Sequence, residues 1–376
     1  MIYFFTIFFT VYALANFYIF LRGWQALSII PQLRVIYTII FLIAVSSYII
    51  ARLVGKYLPY ALYTGLTWIG SFWFMFLLYF LVLFLLFDLF RFADRVFHFL
   101  PGGILSNPRT LSYAGIAILF ITLTASIYGY FNRSNIKVKQ LEINLRNEHR
   151  KEYNIVFFSD LHASVINNHS FLKNVVAKIN SLAPDLILIG GDLVDESVEN
   201  LSKYKIVEEL KKLKAPLGIY AATGNHEFIN GGEPIIEYFE KLGIKFLRDE
   251  SVLIDSTIYI IGREDISSKN FIQNQRKSLS QLTSTLNRDT PKILLDHQPI
   301  NLDEAAKNSI DLQLSGHTHN GQIFPLNLIT KLVYEVSWGY KRKGTTHFFV
   351  SSGIGTWGPP VKIASDAEIV HIKIRI

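Results

Sequence analysis

The 376-residue chain contains no cysteine. That absence excludes disulfides and thiolate metal sites, so any metal must be held by oxygen and imidazole donors. Acids are scarce in the first third. Residues 1–133 hold only Asp88 and Asp94 against eight Lys or Arg, and the remaining 243 residues hold 28 acids and 29 bases. The formal charge of +7 therefore sits almost wholly in the N-terminal third. Also missing is a concentrated basic patch on a water-soluble domain, which argues against nucleic acid as a stable partner. The basic surplus flanks apolar runs instead, as membrane topology requires.

Hydrophobic residues are abundant, at 50%, with 29 Phe and 19 Tyr. The length leaves room for two or three domains. Four uncharged stretches cover 2–21, 35–51, 57–87 and 110–132. A helix needs ~20 apolar residues to cross the hydrocarbon core. The first and fourth stretches match that length, the second is at the short limit, and the third has room for an interfacial lead-in around Pro59. Backbone polar groups must be paired in lipid, so each run is expected to be helical. A signal peptide would have a basic start and a small-residue cleavage site; the opening Met-Ile-Tyr-Phe-Phe has neither. These features predict a four-helix membrane domain over 1–133 and a soluble domain over 134–376.

Four spans put the N-terminus and the soluble domain on one side. Arg22, Arg34, Arg91, Arg95 and Arg109 follow spans one and three. Arg52 and Lys56 follow span two, and Arg133, Lys137 and Lys139 follow span four. The positive-inside comparison leans towards an outward-facing soluble domain when the juxtamembrane residues are left out, and is even when they are counted. Asp88, Arg91, Asp94 and Arg95 are helically spaced and read as an interfacial helix end. No charge falls inside a span, which counts against transport.

After about Ser134, short apolar runs recur at 155–159, 186–189, 218–222, 258–261, 293–295 and 312–315, with further strand candidates at 347–351 and 369–374. Helical spacing appears at 171–182, 207–213 and 234–242. Strands alternating with helices predict an α/β architecture, whose sites form past the C-terminal ends of strands.

Those strand ends carry one chemical series. In order they are Asp160-Leu161-His162, Gly191-Asp192 with Asp195, Gly224-Asn225-His226-Glu227, His297, and Gly316-His317-Thr318-His319. Carboxylates and imidazoles without thiolate suit divalent Mn, Fe or Zn. Each piece alone is common; their conjunction in one order, each after a strand-like run, carries the argument. His98, His149, His169, His347 and His371 lack such a setting and read as ordinary residues.

The series resembles the calcineurin-like metallophosphoesterase family, whose pattern is D-x-H, G-D-x-x-D, G-N-H-D/E, H and G-H-x-H. The resemblance covers about 137–376, and the phrases around Gly316-His317-Thr318-His319-Asn320-Gly321-Gln322 and Gly353 to Pro360 are similar to a bacterial membrane-linked branch. It implies a β-sandwich flanked by helices and two divalent metal ions (Mn, Fe or Zn). By this resemblance Asp160, His162 and His319 hold the first ion, Asn225, His297 and His317 the second, and Asp192 bridges. It makes His226 a non-ligating group beside the phosphate, oriented by Asp195, with a metal-bridging hydroxide as nucleophile. Two departures, Ser365-Asp366-Ala367-Glu368 for Pro-Pro-Glu and Lys362 for Arg, place substrate contacts in question.

The expected activity is hydrolysis of phosphate mono- or diesters by a membrane-anchored enzyme, in a bacterial inner membrane. The alternative is a lipid-directed pyrophosphatase or phosphodiesterase acting on a lipid-linked substrate. A third reading, a non-catalytic membrane sensor, is opposed by the complete ligand set. Tyr130, Phe131, Tyr340 and Trp357 are candidate interfacial contacts, and no obligate protein partner is indicated.

Overall fold

A computed structural model describes residues 2–145, 151–271 and 276–376, with side chains from Thr6 onward. His149 lies outside the described residues. The chain divides into two compact units, Met1–Gly129 with Gly358–Pro360, and Tyr130–Trp357 with Val361–Ile376.

The first unit consists of helices α1 (Ile2–Ala26), α2 (Arg34–Val54), α3 (Tyr60–Phe97) and α4 (Pro108–Asn132). All four are long and apolar enough to cross a membrane. Exposed Ile, Leu and Phe side chains cover their outer faces, as a lipid solvent demands and water forbids. Inside, Ile19, Phe41 and Trp73 form a core, and Trp73 donates its indole N–H to Asn16 Oδ1 at 3.0 Å. The second helix is longer than the 35–51 stretch. The third outruns its apolar stretch by ten residues, because Asp88 to Arg95 continue the helical spacing. Its 38 residues span about 57 Å, so its charged end projects beyond a ~30 Å hydrocarbon core.

The second unit runs β1 (Lys137–Asn144), β2 (Glu152–Phe158), α5 (His169–Ser181), β3 (Leu186–Ile189), α6 (Val198–Lys203), β4 (Ile219–Ala221), α7 (Asn225–Ile229), α8 (Glu233–Glu240), β5 (Lys245–Phe246), β6 (Glu250–Ile254) and β7 (Ile258–Gly262). It continues through α9 (Leu279–Thr283), β8 (Lys292–Leu295), α10 (Asp303–Lys307), β9 (Leu312–Ser315), α11 (Leu326–Val333), β10 (Gly339–Lys343), β11 (Thr346–Val350) and β12 (Glu368–Arg375). The strands form two six-stranded mixed sheets, ordered β1-β12-β2-β3-β4-β5 and β10-β11-β9-β8-β7-β6. One hydrophobic cluster joins Ile155, Phe157 and Leu188 of the first sheet to Ile260, Ile293 and Leu314 of the second. The sheets therefore face each other as a sandwich. Strands β3, β8 and β9 are buried on both faces; β3 accordingly reads as an unbroken apolar run, whereas β8 starts at Lys292 and β9 buries Gln313 and Ser315.

Two of the three predicted helices form, α5 and α8. Asn168 caps the first, its side chain accepting from Ser170 N and Phe171 N. Pro234 opens the second within its first turn. The third stretch, 207–213, is instead a short 3-10 turn, Glu208–Lys212. Pro216, four residues on, cannot continue a helix.

Candidate metal centre

Parallel pairing brings the chemical series together. Phe158 is paired with Ile189, so Ser159-Asp160 and Gly190-Gly191-Asp192 leave neighbouring strands side by side. Asp160 N donates to Gly191 O and His162 N to Asp192 O, both at 3.0 Å. In the other sheet Leu295 is paired with Leu314, and Gly316 N donates to His297 O at 2.9 Å. Two glycines permit the close approach. A Cβ on Gly224 would lie 2.2 Å from Asp192 Oδ1, and one on Gly316 would lie 2.3 Å from Asp160 Oδ2.

Three groups of possible donor atoms result: Asp160 with His162 and His319, Asp192 with His297 and His317, and His162 with Asp195 and His226. His162 Nε2 is 3.0 Å from His319 Nε2, which is 3.5 Å from Asp160 Oδ1. His317 Nδ1 is 3.0 Å from Asn225 Oδ1 and 3.3 Å from His297 Nε2. Asp192 Oδ2 lies between the first two groups, 3.1 Å from His297 Nε2 and 3.8 Å from His162 Nε2. All seven residues predicted as ligands are thus gathered at one end of the sandwich.

The donors fit divalent ions. Two atoms bound to one ion at ~2.1 Å, with angles of about 90–110°, lie about 3.0–3.5 Å apart, which matches the distances within each of the first two groups but not the longer one from Asp192 to His162. The ring nitrogens are also oriented for it. His297 Nδ1 is satisfied by Gly190 O at 2.6 Å, and His162 Nδ1 by Asp195 Oδ1 at 3.0 Å, leaving both Nε2 atoms to the centre. Buried His319 Nδ1 has no hydrogen-bond partner, so its ring is not held by an ordinary core contact. Five of the seven, Asp160, His162, Asp192, His317 and His319, adopt positive φ. Such strain in non-glycine residues concentrates at functional sites.

Comparison with known proteins follows the same residues. The calcineurin-like phosphoesterase family model matches residues 153–321. A metallophosphoesterase of Helicobacter pylori is 35% identical over 257 residues, covering 66% of this chain and 68% of the relative. One from Aquifex aeolicus is 31% identical, covering 68% of this chain and 98% of the relative. The chain belongs to the calcineurin-like phosphoesterase family. A zebrafish transmembrane protein with metallophosphoesterase domain is 31% identical, covering 73% of this chain and 67% of its own length. A 5'-nucleotidase precursor from Thermus thermophilus aligns in structure over 60% of this chain and 55% of its own, at 14% identity and a TM-score of 0.36.

In this phosphoesterase His226 stands beside the first two donor groups, its ring 4.7 Å from that of His162. Its Nδ1 is 2.5 Å from Asp195 Oδ1, the oxygen that also holds His162. Asp195 thus serves two rings, where the sequence predicts one. Burial opposes a charge on His226, but the Asp192 and Asp195 carboxylates outweigh it and raise the imidazole to about 9. Asp195, although buried, is held below the usual carboxylate range by His162 and His226. Burial likewise opposes a charge on His297, yet Asp192 raises it, whereas burial and His162 lower His319.

Two supporting residues lie outside the predicted set. Glu227, fully buried, accepts Asp192 N at 3.0 Å and Leu193 N and Gly224 N at 2.6 Å, tying two ligand loops together. Burial and the Asp192 charge raise its carboxyl to about 7 against those hydrogen bonds. The sequence signal for it is its place in the Gly-Asn-His-Glu motif. Lys362 is no substrate contact: it is fully buried and donates to Ser352 O, Gly353 O and Asp366 O at 2.6, 2.7 and 3.1 Å. Glu368 is buried too, accepting from Ser352 N and Trp338 Nε1. Both departures from the family pattern therefore shape the loop behind the site. That loop donates Ile354 N to Ser159 O and Gly355 N to Asp160 O.

Of the histidines read as ordinary, His169 faces Glu209, His347 meets Tyr340 Oη, and His371 meets Asn154 Oδ1. His98 ends α3 in a left-handed conformation.

Proposed function

We propose that this chain is a membrane-anchored phosphoesterase with two divalent ions, its anchor spanning 1–133 and its catalytic domain 134–376. Asp160, His162 and His319 hold one ion, Asn225, His297 and His317 the other, and Asp192 is shared. The observation that carries this reading is the position of Asp192 Oδ2 between two groups of inward-facing nitrogens. When bound, the ions neutralise phosphoryl charge and make a nucleophile available near neutral pH.

The chain's own residues supply the rest. The Asp192 and Asp195 carboxylates favour a proton on His226 against its burial, while bound cations would oppose it. Its Nδ1–H is given to Asp195, which fixes the ring and leaves Nε2–H to donate to a phosphoryl or departing oxygen. His226 is 12% accessible at its side chain, against 1% and 0% for His162 and His297, so a substrate can reach it.

The substrate class is a phosphate mono- or diester. A lipid-linked phosphoester or pyrophosphate is the second reading, favoured by four membrane-length helices in the same chain. A sensor that has lost catalysis is disfavoured, because no ligand position is missing. For topology, Arg133 is buried against the rings of Tyr130 and Phe171, so it does not act as a free juxtamembrane charge. That moves the comparison of loop bases towards an outward-facing catalytic domain.

The test is hydrolysis of a chromogenic phosphodiester and phosphomonoester by purified full-length protein. Activity is expected to vanish after chelation and return with Mn²⁺, Fe²⁺ or Zn²⁺. Undiminished turnover in metal-free protein overturns the reading.

A further inference from the structure

The membrane unit contains a site that phosphoester hydrolysis does not use. Near the ends of α1 and α3, and against the turn after α3, lies a cavity of about 370 Å³ whose walls include Arg22, Asp88, Arg91, Asp94, Arg95 and His98. Both carboxylates are engaged. Asp88 receives Tyr18 Oη at 2.6 Å, Arg22 at 2.5 Å and Arg91 at 3.4 Å, and Asp94 receives Leu100 N at 2.9 Å. Three guanidiniums, Arg22, Arg91 and Arg95, against the two carboxylates leave a surplus of one positive charge. No carboxylate among the described residues pairs Arg95, and Arg22 Nε is buried without an acceptor. The cavity therefore offers charge and donors to an anion.

A second cavity, of about 670 Å³, runs along the apolar part of the same helices, between residues such as Ile19, Phe41, Trp73, Phe80, Phe84 and Leu119. Its few polar side chains are already used. Ser112 donates to Ala26 O at 2.6 Å, Tyr37 to Phe20 O at 3.1 Å and Trp73 to Asn16 Oδ1 at 3.0 Å. An occupant must be apolar, and the volume is within the range of ordinary ligand sites, ~300–1,000 Å³. The two spaces adjoin along the helices. Phe80 and Phe84 line the groove, and Asp88 and Arg91 line the charged cavity at the next turns of the same face of α3. On α1, Ile19 lines one and Arg22, a turn later, the other.

We propose that this pair of cavities binds one anionic phospholipid, its phosphate among Arg22, Arg91 and Arg95 and an acyl chain in the groove. Charge complementarity selects the headgroup, and the position at a helix end places it at the membrane surface, where basic residues between spans meet lipid phosphates. The site is independent of the metal centre.

The test uses full-length protein in detergent micelles, titrated with phosphatidylglycerol or phosphatidylcholine and followed by native mass spectrometry and thermal unfolding. Phosphatidylglycerol is expected to bind about tenfold more tightly than phosphatidylcholine, the size of one charge-assisted contact. Arg95→Gln, which breaks no internal pair, is expected to remove that preference with little change in the lipid-free melting temperature. Leu119→Trp is expected to fill the groove and weaken both lipids. Equal binding of the two lipids, or an unchanged preference in Arg95→Gln, overturns the headgroup assignment. Inorganic phosphate binding as tightly as phosphatidylglycerol, with Leu119→Trp without effect, overturns the acyl-chain assignment.

Discussion

His226 and Asp195 separate two roles that a single substitution scan would blur. His226→Gln removes the proton donor and none of the proposed ligands, so kcat is expected to fall about a hundredfold or more with metal content retained. Asp195→Asn also releases His162, so it is expected to lower both kcat and metal affinity, read by activity and metal analysis together. The acid form of His226 is the working one. Rate should therefore decline as pH rises through its pKa, about 9 in the ion-free site and lower with cations beside it. This basic limb should be absent from the pH profile of His226→Gln. Glu227→Ala would strand three buried N–H groups and is expected to cost about 3 kcal/mol or more in denaturant unfolding. The residues that gather at the candidate centre were legible in sequence because carboxylates and imidazoles recur at strand ends in a fixed order. The roles of Glu227 and Lys362 were not, because they depend on where backbone N–H and C=O groups converge. That is a property of folded loops.

Among elements, the interior of the sandwich was legible and its margins were not. Strands β3, β8 and β9, buried on both faces, left short runs dominated by Leu and Ile. Strands β1 and β10 sit at sheet edges, with half of β1 exposed and no residue of β10 buried, so neither left an apolar run. Membrane helices were legible as apolar stretches, but the charged end of α3 was not counted within its span. Register is what brings these side chains together, since the candidate ligands follow directly where pairing ends. Leu188→Ala, in the core beneath the Asp192 loop, should cost about 2–5 kcal/mol of stability. The fraction that remains folded should keep its metal content, because the pairing that aligns the loops survives.

At the scale of the molecule, membrane-length helices and a phosphoesterase domain share one chain. The protein is expected to leave membranes only with detergent, and protease added to intact cells is expected to cut the catalytic domain if it faces outwards. The proposed centre depends on two ions sharing Asp192. Metal analysis of purified full-length protein, reconstituted with Mn²⁺ and freed of excess ion, tests it most directly. Two ions per chain are predicted, with Asp192→Asn losing ions from both positions and His226→Gln losing neither. One ion per chain, or an Asp192→Asn protein that still holds two, would contradict the shared centre.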